Sequence, residues 1–188
     1  TNMIYSNTSG YAAITGNDKS ITYWGNTSSV TSFDSTFNNV TNEDFSKIYV
    51  TNKAFAAVKV TGEVYAWGDS SFGGQLTNVL ENVSKISANY NAFVALTEEK
   101  KVVAWGNSYA GGQLTDVLEN VVDIHSNHQS FAAIKGPDKE LFAWGGNGLG
   151  GTNPTDGNGE PITGVKKIFA SKDAYCCIKG ENNELFCW

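Results

Sequence analysis

The stretch Gly62-Glu63-Val64-Tyr65-Ala66-Trp67-Gly68-Asp69-Ser70-Ser71-Phe72-Gly73-Gly74-Gln75-Leu76 returns as Lys101-Val102-Val103-Ala104-Trp105-Gly106-Asn107-Ser108-Tyr109-Ala110-Gly111-Gly112-Gln113-Leu114, which sets Trp105 38 residues beyond Trp67. Weaker copies end at Trp24, Trp144 and Trp188, so all five tryptophans hold one equivalent place. A fixed period of this size is the signature of tandem repeats, each too small to bury its apolar surface alone.

Three apolar anchors align the units. An isoleucine stands at Ile4, Ile48, Ile86, Ile124 and Ile168, and seven residues later comes Tyr11, Phe55, Phe93, Phe131 or Tyr175. The tryptophan follows after another 12 or 13 residues, while the connector from Trp to the next Ile varies between 19 and 24. Constant spacing marks packed structure, and variable spacing marks surface connections. The units run roughly over residues 1–44, 45–82, 83–120, 121–164 and 165–188.

The segments between anchors are short, rich in β-branched and aromatic residues, and bounded by turn residues, so they are expected as strands. Helical spacing is not sustained over ten residues anywhere. If Phe93 opposes Trp105 in a hairpin, Ala95 opposes Val103 on the same face, and Val94, Leu96, Val102 and Ala104 cover the other. Both faces are apolar, so each small sheet must be covered on both sides, which stacking of units achieves and a two-layer sandwich does not. The expected fold is all-β: about five tandem β-propeller blades of 38–44 residues, forming an incomplete ring or part of a larger propeller.

The V-x-A-W-G element followed by Gly-Gly-Gln-Leu, an Ile strand and a small-residue strand resembles the repeat of the regulator of chromosome condensation superfamily. The short period looks most like its short-bladed members, such as the propeller-type β-lactamase inhibitor protein. That resemblance implies a β-propeller, usually of seven blades, that binds proteins across its loop faces. Gly10, Ala54, Ala92, Ser130 and Ala174 stand where the family usually has a histidine. Ala88-Asn89 stands where a Gly-Gly strand turn is expected.

Composition excludes several classes. Nineteen acids against thirteen lysines give a net charge of −6, with no arginine to read phosphates or guanines, so nucleic acid is not an expected partner. No apolar run reaches the roughly 20 residues that span a membrane, and no membrane insertion is expected. The chain opens with Thr1, as a processed or excised piece would. Sequons at Asn7, Asn26, Asn39 and Asn82 lean weakly toward a secreted or surface protein.

Candidate chemistry is sparse. His125 and His128 lie three apart beside Asp123 but lack a third ligand nearby, so neither a metal nor a cofactor is expected. The segment 153–160 begins like a calcium loop, yet Pro161 and Lys167 fall where such a loop wants Gly and Glu. Gly73-Gly74 and Gly111-Gly112 lack the Lys-Ser/Thr ending of a phosphate cradle. No nucleophile, base and orienting acid can be assembled, so the chain is not expected to be an enzyme.

Cys176 falls opposite Cys187 when Tyr175 faces Trp188, and the pair replaces Ala132 and Ala143 of the preceding unit. A cross-strand disulfide and two buried thiols both fit that placement, and Cys177 leaves an odd cysteine. The hairpin turns at 15–20, 59–63, 97–101, 135–140 and 179–184 are charged and plain. The other edge gathers Phe72, Tyr90, Tyr109, His125 and His128 on polar loops, a composition that suits recognition. The expected function is a non-enzymatic protein-interaction module with a protein partner. The rival expectations are a small-GTPase regulator, implied by the family resemblance, and a structural array within a larger surface protein. Unit five ends in Leu185-Phe186-Cys187-Trp188 with no Gly-Gly connector after it, so further repeats or another chain are expected to cover that end.

Overall fold

The computed structural model describes residues 3–38 and 41–188; Thr1 and the sequon at Asn39 lie outside them. Five three-stranded antiparallel sheets follow one another along the chain. Blade 1 is β1 (Ile4–Asn7), β2 (Gly10–Thr15) and β3 (Ser20–Gly25), and blade 2 is β4 (Phe45–Val50), β5 (Ala54–Lys59) and β6 (Val64–Gly68). Blade 3 is β7 (Val83–Ala88), β8 (Ala92–Thr97) and β9 (Val102–Gly106). Blade 4 is β10 (Val121–Ser126), β11 (Ser130–Lys135) and β12 (Glu140–Gly145), and blade 5 is β13 (Val165–Ala170), β14 (Tyr175–Lys179) and β15 (Glu184–Cys187).

The register is the one that the alternation of side chains demands. Phe93 pairs with Trp105 and Ala95 with Val103, so both face one way, while Val94–Ala104 and Leu96–Val102 face the other. Each blade turns its Ile, aromatic and Trp face onto the small-residue face of the blade before it. Ile124, Phe131 and Trp144 thus pack on Ala92, Val94, Leu96 and Val102. Within each face the aromatic stacks on the tryptophan, with ring centroids 5.2 Å apart for Phe93–Trp105 and 5.6 Å for Phe131–Trp144. The first strands of adjacent blades lie side by side, and among the described residues blades 1 and 5 do not pack on each other. The array is an open arc.

One corner recurs after the Trp strand. The Gly73 carbonyl accepts the indole N–H of Trp105 at 3.0 Å, Gly111 accepts Trp144 at 3.0 Å, and Gly150 accepts Trp188 at 3.0 Å. Each of these tryptophans belongs to the next blade, so the corner is an inter-blade clasp. Gly73 has φ 91°, and a Cβ there would lie 2.6 Å from a ring carbon of Phe93, so only glycine lets the corner close on the aromatic stack. The Gly-Gly pairs are packing devices as well as turns.

The first connector corrects the expectation of no sustained helix. Helix α1 spans Thr27–Phe37, with Asn26 as its N-cap accepting from the Ser28 N–H at 2.9 Å. Its Ser and Thr residues are poor helix formers, but Phe33 and Phe37 lie one turn apart and pack on Trp67 at 5.4 Å and 5.9 Å. Tertiary burial therefore outweighs propensity. The helix takes the place of the Gly-Gly corner, and the buried Trp67 indole N–H consequently has no acceptor.

That contrast gives a clean test. Trp105→Phe and Trp67→Phe remove the same atoms from equivalent positions, but only the first breaks a hydrogen bond. In urea denaturation Trp105→Phe should cost about 1 kcal/mol more than Trp67→Phe; equal losses would show that the clasp contributes nothing.

Candidate functional site

The expected recognition edge is built from the loops between the first and second strand of each blade. A polar residue at the end of each first strand shapes its loop. The Asn89 Oδ1 accepts from the N–H groups of Asn91 and Ala92 at 2.9 and 2.8 Å, and Asn127 does the same for Gln129 and Ser130. The Thr51 hydroxyl accepts from Ala54 at 3.1 Å. The same side chains reach across to the connector: Asn89 Nδ2 donates to the Ala110 carbonyl at 2.7 Å, Asn127 Nδ2 to Leu149 at 2.6 Å, and Thr51 Oγ1 to Phe72 at 2.9 Å. Asn89, noted from sequence only as a missing glycine, is therefore the anchor of its loop. The recurrence of asparagine at the end of the first strand in three of the five units, as Asn7, Asn89 and Asn127, was the available signal.

The loops are also tied to one another. The Thr8 N–H donates to the Asn52 carbonyl at 3.0 Å, Asn52 to Tyr90 at 2.9 Å, Tyr90 to His128 at 3.1 Å and His128 to Lys172 at 3.0 Å. One residue per loop thus forms a backbone belt through all five blades. Tyr90 and His128, adjacent links of this belt, stack with ring centroids 4.8 Å apart. Tyr90 is 43% exposed and His128 is half-buried, so the pair offers an aromatic face held by main-chain bonds.

The other three expected residues are placed differently. Tyr109 is exposed on the connector that leaves the same edge. Phe72 is half-buried, with the Lys53 ammonium 5.2 Å from its ring centroid, and it serves mainly to cover the blade end. His125 is not on a loop: it lies within β10, half-buried, its Nε2 2.9 Å from the Asp123 Oδ2. Burial holds its pKa below the ordinary imidazole value, against the opposing pull of the Asp123 carboxylate. Burial alone would raise Asp123, but the hydrogen bond from Lys85 of the neighbouring blade and the His125 charge outweigh it and hold its carboxyl below the usual value. This trio ties β7 to β10 as an inter-blade bridge and does not share the surface of Tyr90 and His128.

The connector after the Trp strand touches both edges of its blade, as residues 69–82 show. Residues 69–74 lie on the loop edge, where Asp69 donates to the Lys53 carbonyl at 3.0 Å. The rest of the connector crosses the blade, pairing Leu80 with Val64 and bringing Asn82 to the Glu98 N–H at the hairpin edge. This crossing covers the free side of the Trp strand, which would otherwise be an open sheet edge.

The chemistry of the remaining surface is limited. A cleft of about 660 Å³ lies between α1 and β6 and is lined by hydroxyl, amide and apolar groups, Tyr65 among them, with no acid, histidine, lysine or cysteine. Among the described residues no three His, Cys, Asp or Glu converge as a metal site, and no helix is long and apolar enough to cross a membrane. In the segment 153–160 the Asp156 carboxylate accepts from the N–H groups of Asn158 and Glu160, which is a turn closed on itself. Cys176 and Cys187 are disulfide-bonded across β14 and β15, and Cys177 is a buried free thiol on the opposite, packed face.

Five stacked three-stranded blades, three of their four junctions clasped through a tryptophan and a glycine corner, define a repeat protein of the β-propeller type. Residues 83–111, which take in Trp105-Gly106 but stop before Gly112-Gln113-Leu114, match the regulator of chromosome condensation (RCC1) repeat, and the superfamily resemblance stands on that match. No curated protein sequence matches the chain. Among solved structures, the CRINKLY WD40 ectodomain of the Arabidopsis thaliana receptor kinase ACR4 is similar at 15% identity and TM-score 0.59, covering 98% of this chain and 62% of that one. Saccharomyces cerevisiae Prp20p, described with its binding to Gsp1p and histones, is similar at 14% identity and TM-score 0.56, covering 99% and 57%. Yeast RCC1 (Prp20) bound to Kap60 aligns at 18% identity and TM-score 0.57, covering 98% and 54%. The chain therefore spans less than two thirds of these structures, and at such identities the likeness is one of fold.

The cysteines supply a direct check. The native protein should show no reactive thiol, and the unfolded, unreduced protein should show one, from Cys177. A count of three after unfolding would eliminate the bridge.

Proposed function

We propose that the chain is a non-enzymatic protein-interaction module that recognises its partner through the loop edge centred on Tyr90, His128 and Tyr109. The observation that supports this most is the belt. A run of main-chain bonds fixes the loops before any partner arrives, so little ordering entropy is lost on binding. Aromatic side chains on such a preordered, polar edge supply contact area at low entropic cost. Phe72 and the inter-blade His125 stand behind this surface, the first supporting the edge and the second fixing the blade geometry beneath it. The cleft between α1 and β6 offers no acid, histidine, lysine or cysteine, which favours binding over catalysis among the described residues. The similar yeast structures are described with protein partners, Gsp1p, histones and Kap60, which favours the same class of activity here. A disulfide at Cys176–Cys187 favours an oxidising compartment.

The test is capture of the partner by immobilised protein. Joint substitution of Tyr90, His128 and Tyr109 by Ala should abolish capture and leave thermal stability within a few degrees of the parent. Reversing charge at Glu98 and Glu99 on the hairpin edge should leave capture intact. Capture that survives the triple change and is lost on the charge reversal would place recognition on the other edge. A partner whose retention depends on guanine nucleotide would instead favour the GTPase-regulator reading.

A further inference from the structure

Helix α1 does more than cover Trp67. It walls the cleft of about 660 Å³ against β6, the outermost strand of blade 2, and the connector segment 74–79 lines the rest. That volume lies within the roughly 300–1,000 Å³ of small-ligand sites. Blade 2 has a neighbouring blade on each side, so the cleft is a feature of the interior of the array.

An unpaired main-chain donor faces this cleft. Along a strand the N–H and C=O of one residue point to the same side, and successive residues alternate. The Ala66 carbonyl accepts from Thr36 Oγ1 at 3.1 Å and the Gly68 N–H donates to Ser32 Oγ at 3.2 Å, so the Ala66 N–H also points away from the sheet, toward α1. Among the described residues it donates to nothing, although Ala66 is only 5% exposed. In blade 4 the equivalent Ala143 N–H donates to Asn153 Oδ1 at 3.1 Å. The connector of blade 2 starts out alike: its Leu80 carbonyl takes the Val64 N–H at 2.9 Å, as Ile162 takes that of Leu141 at 2.8 Å. Antiparallel pairing continued by two residues would bring residue 78 opposite Ala66. The chain leaves the strand first, and Asn78 lines the cleft instead. What blade 4 fills with an amide oxygen, blade 2 leaves as open space.

We propose that this cleft binds a neutral saccharide bearing an N-acetyl group, whose amide oxygen accepts from the Ala66 N–H. The lining carries no charge, so an ionic ligand would lose its hydration without gaining a counter-charge. It is dense in small polar groups that suit ring hydroxyls. The Thr31 and Ser35 hydroxyls donate to the Thr27 and Ser32 carbonyls of their own helix at 3.0 and 2.9 Å, which leaves their lone pairs to accept from a ligand. The Gln75 and Asn78 carboxamides offer donors and acceptors together. Leu76 and Val79, the latter 47% exposed, give apolar contact for an acetyl methyl. A peptide adding to the edge of β6 fits less well. Strand addition uses several free edge groups in a row, and α1 already holds the Ala66 carbonyl and the Gly68 N–H. The site lies on the rim of blade 2, apart from the loop edge, and stands independently of the partner surface proposed above.

Titration of isotopically labelled protein with N,N′-diacetylchitobiose and with cellobiose, followed by NMR, tests it. The two disaccharides differ only at the second ring carbon, acetamido against hydroxyl. The diacetyl sugar should shift the Ala66 amide resonance and bind at least tenfold more tightly than cellobiose. Thr31→Glu, at an exposed helix position, puts a longer side chain into the cleft and should weaken that binding at least tenfold, with circular dichroism unchanged. Ala66→Pro removes the N–H itself at an edge-strand position outside the ladder, and should reduce affinity for the diacetyl sugar to that for cellobiose. If that variant does not fold, Thr31→Glu and the pair of sugars decide the matter. Equal affinity for the two sugars, no binding of either in the millimolar range, or shifts confined to residues away from the cleft would each overturn the proposal. Binding of a neutral Gly/Ser/Asn peptide in place of the sugar would overturn it too, and would assign the cleft to a peptide.

Discussion

The structure depends on two consecutive carbonyls at the corner after the Trp strands of blades 2, 3 and 4. The first is taken by the loop anchor of its own blade, as the Phe72 carbonyl is by Thr51, and the second by the indole of the next blade, as the Gly73 carbonyl is by Trp105. The pair recurs at Ala110–Gly111 and Leu149–Gly150. One turn thus fixes a loop and a neighbouring sheet at once. A blade of three short strands has too little interior to be stable alone, so stability must come from such nearest-neighbour terms.

Where the corner is replaced, the cost is visible. Helix α1 covers Trp67 with Phe33 and Phe37 but offers its indole no acceptor, and Ser32 and Thr36 bond the edge of β6 through their hydroxyls instead. Burial of aromatic surface here substitutes for a specific hydrogen bond, a trade that leaves the first junction apolar and less directional. The junction between blades 3 and 4 adds polar ties along its inner strands, Ser87 with Ser126 and Lys85 with Asp123. The loop belt then inherits its rigidity from the stack beneath it.

Much of this was legible in the sequence. The period, the strand pairing of Phe93 with Trp105, the two apolar faces and the opposition of Cys176 to Cys187 follow from alternation alone, because a strand has only two sides. The helix was not legible, since its apolar residues are few among Ser and Thr and its support comes from a tryptophan thirty residues away. The candidate surface was read only in part. Loop composition pointed to Tyr90 and His128, but their stacking depends on the belt, which a linear pattern does not reveal. His125 was misplaced for a related reason: it stands three positions before His128, yet the strand ends between them.

The central claim is that the loops form one preordered edge because they are hydrogen-bonded from blade to blade. Amide hydrogen exchange on dilute protein measures this residue by residue. The Asn52, Tyr90 and His128 amides should exchange as slowly as the strands they join. If these three amides exchanged close to the rate of an unstructured chain, the loops would be independent and the account of a preordered edge would be wrong.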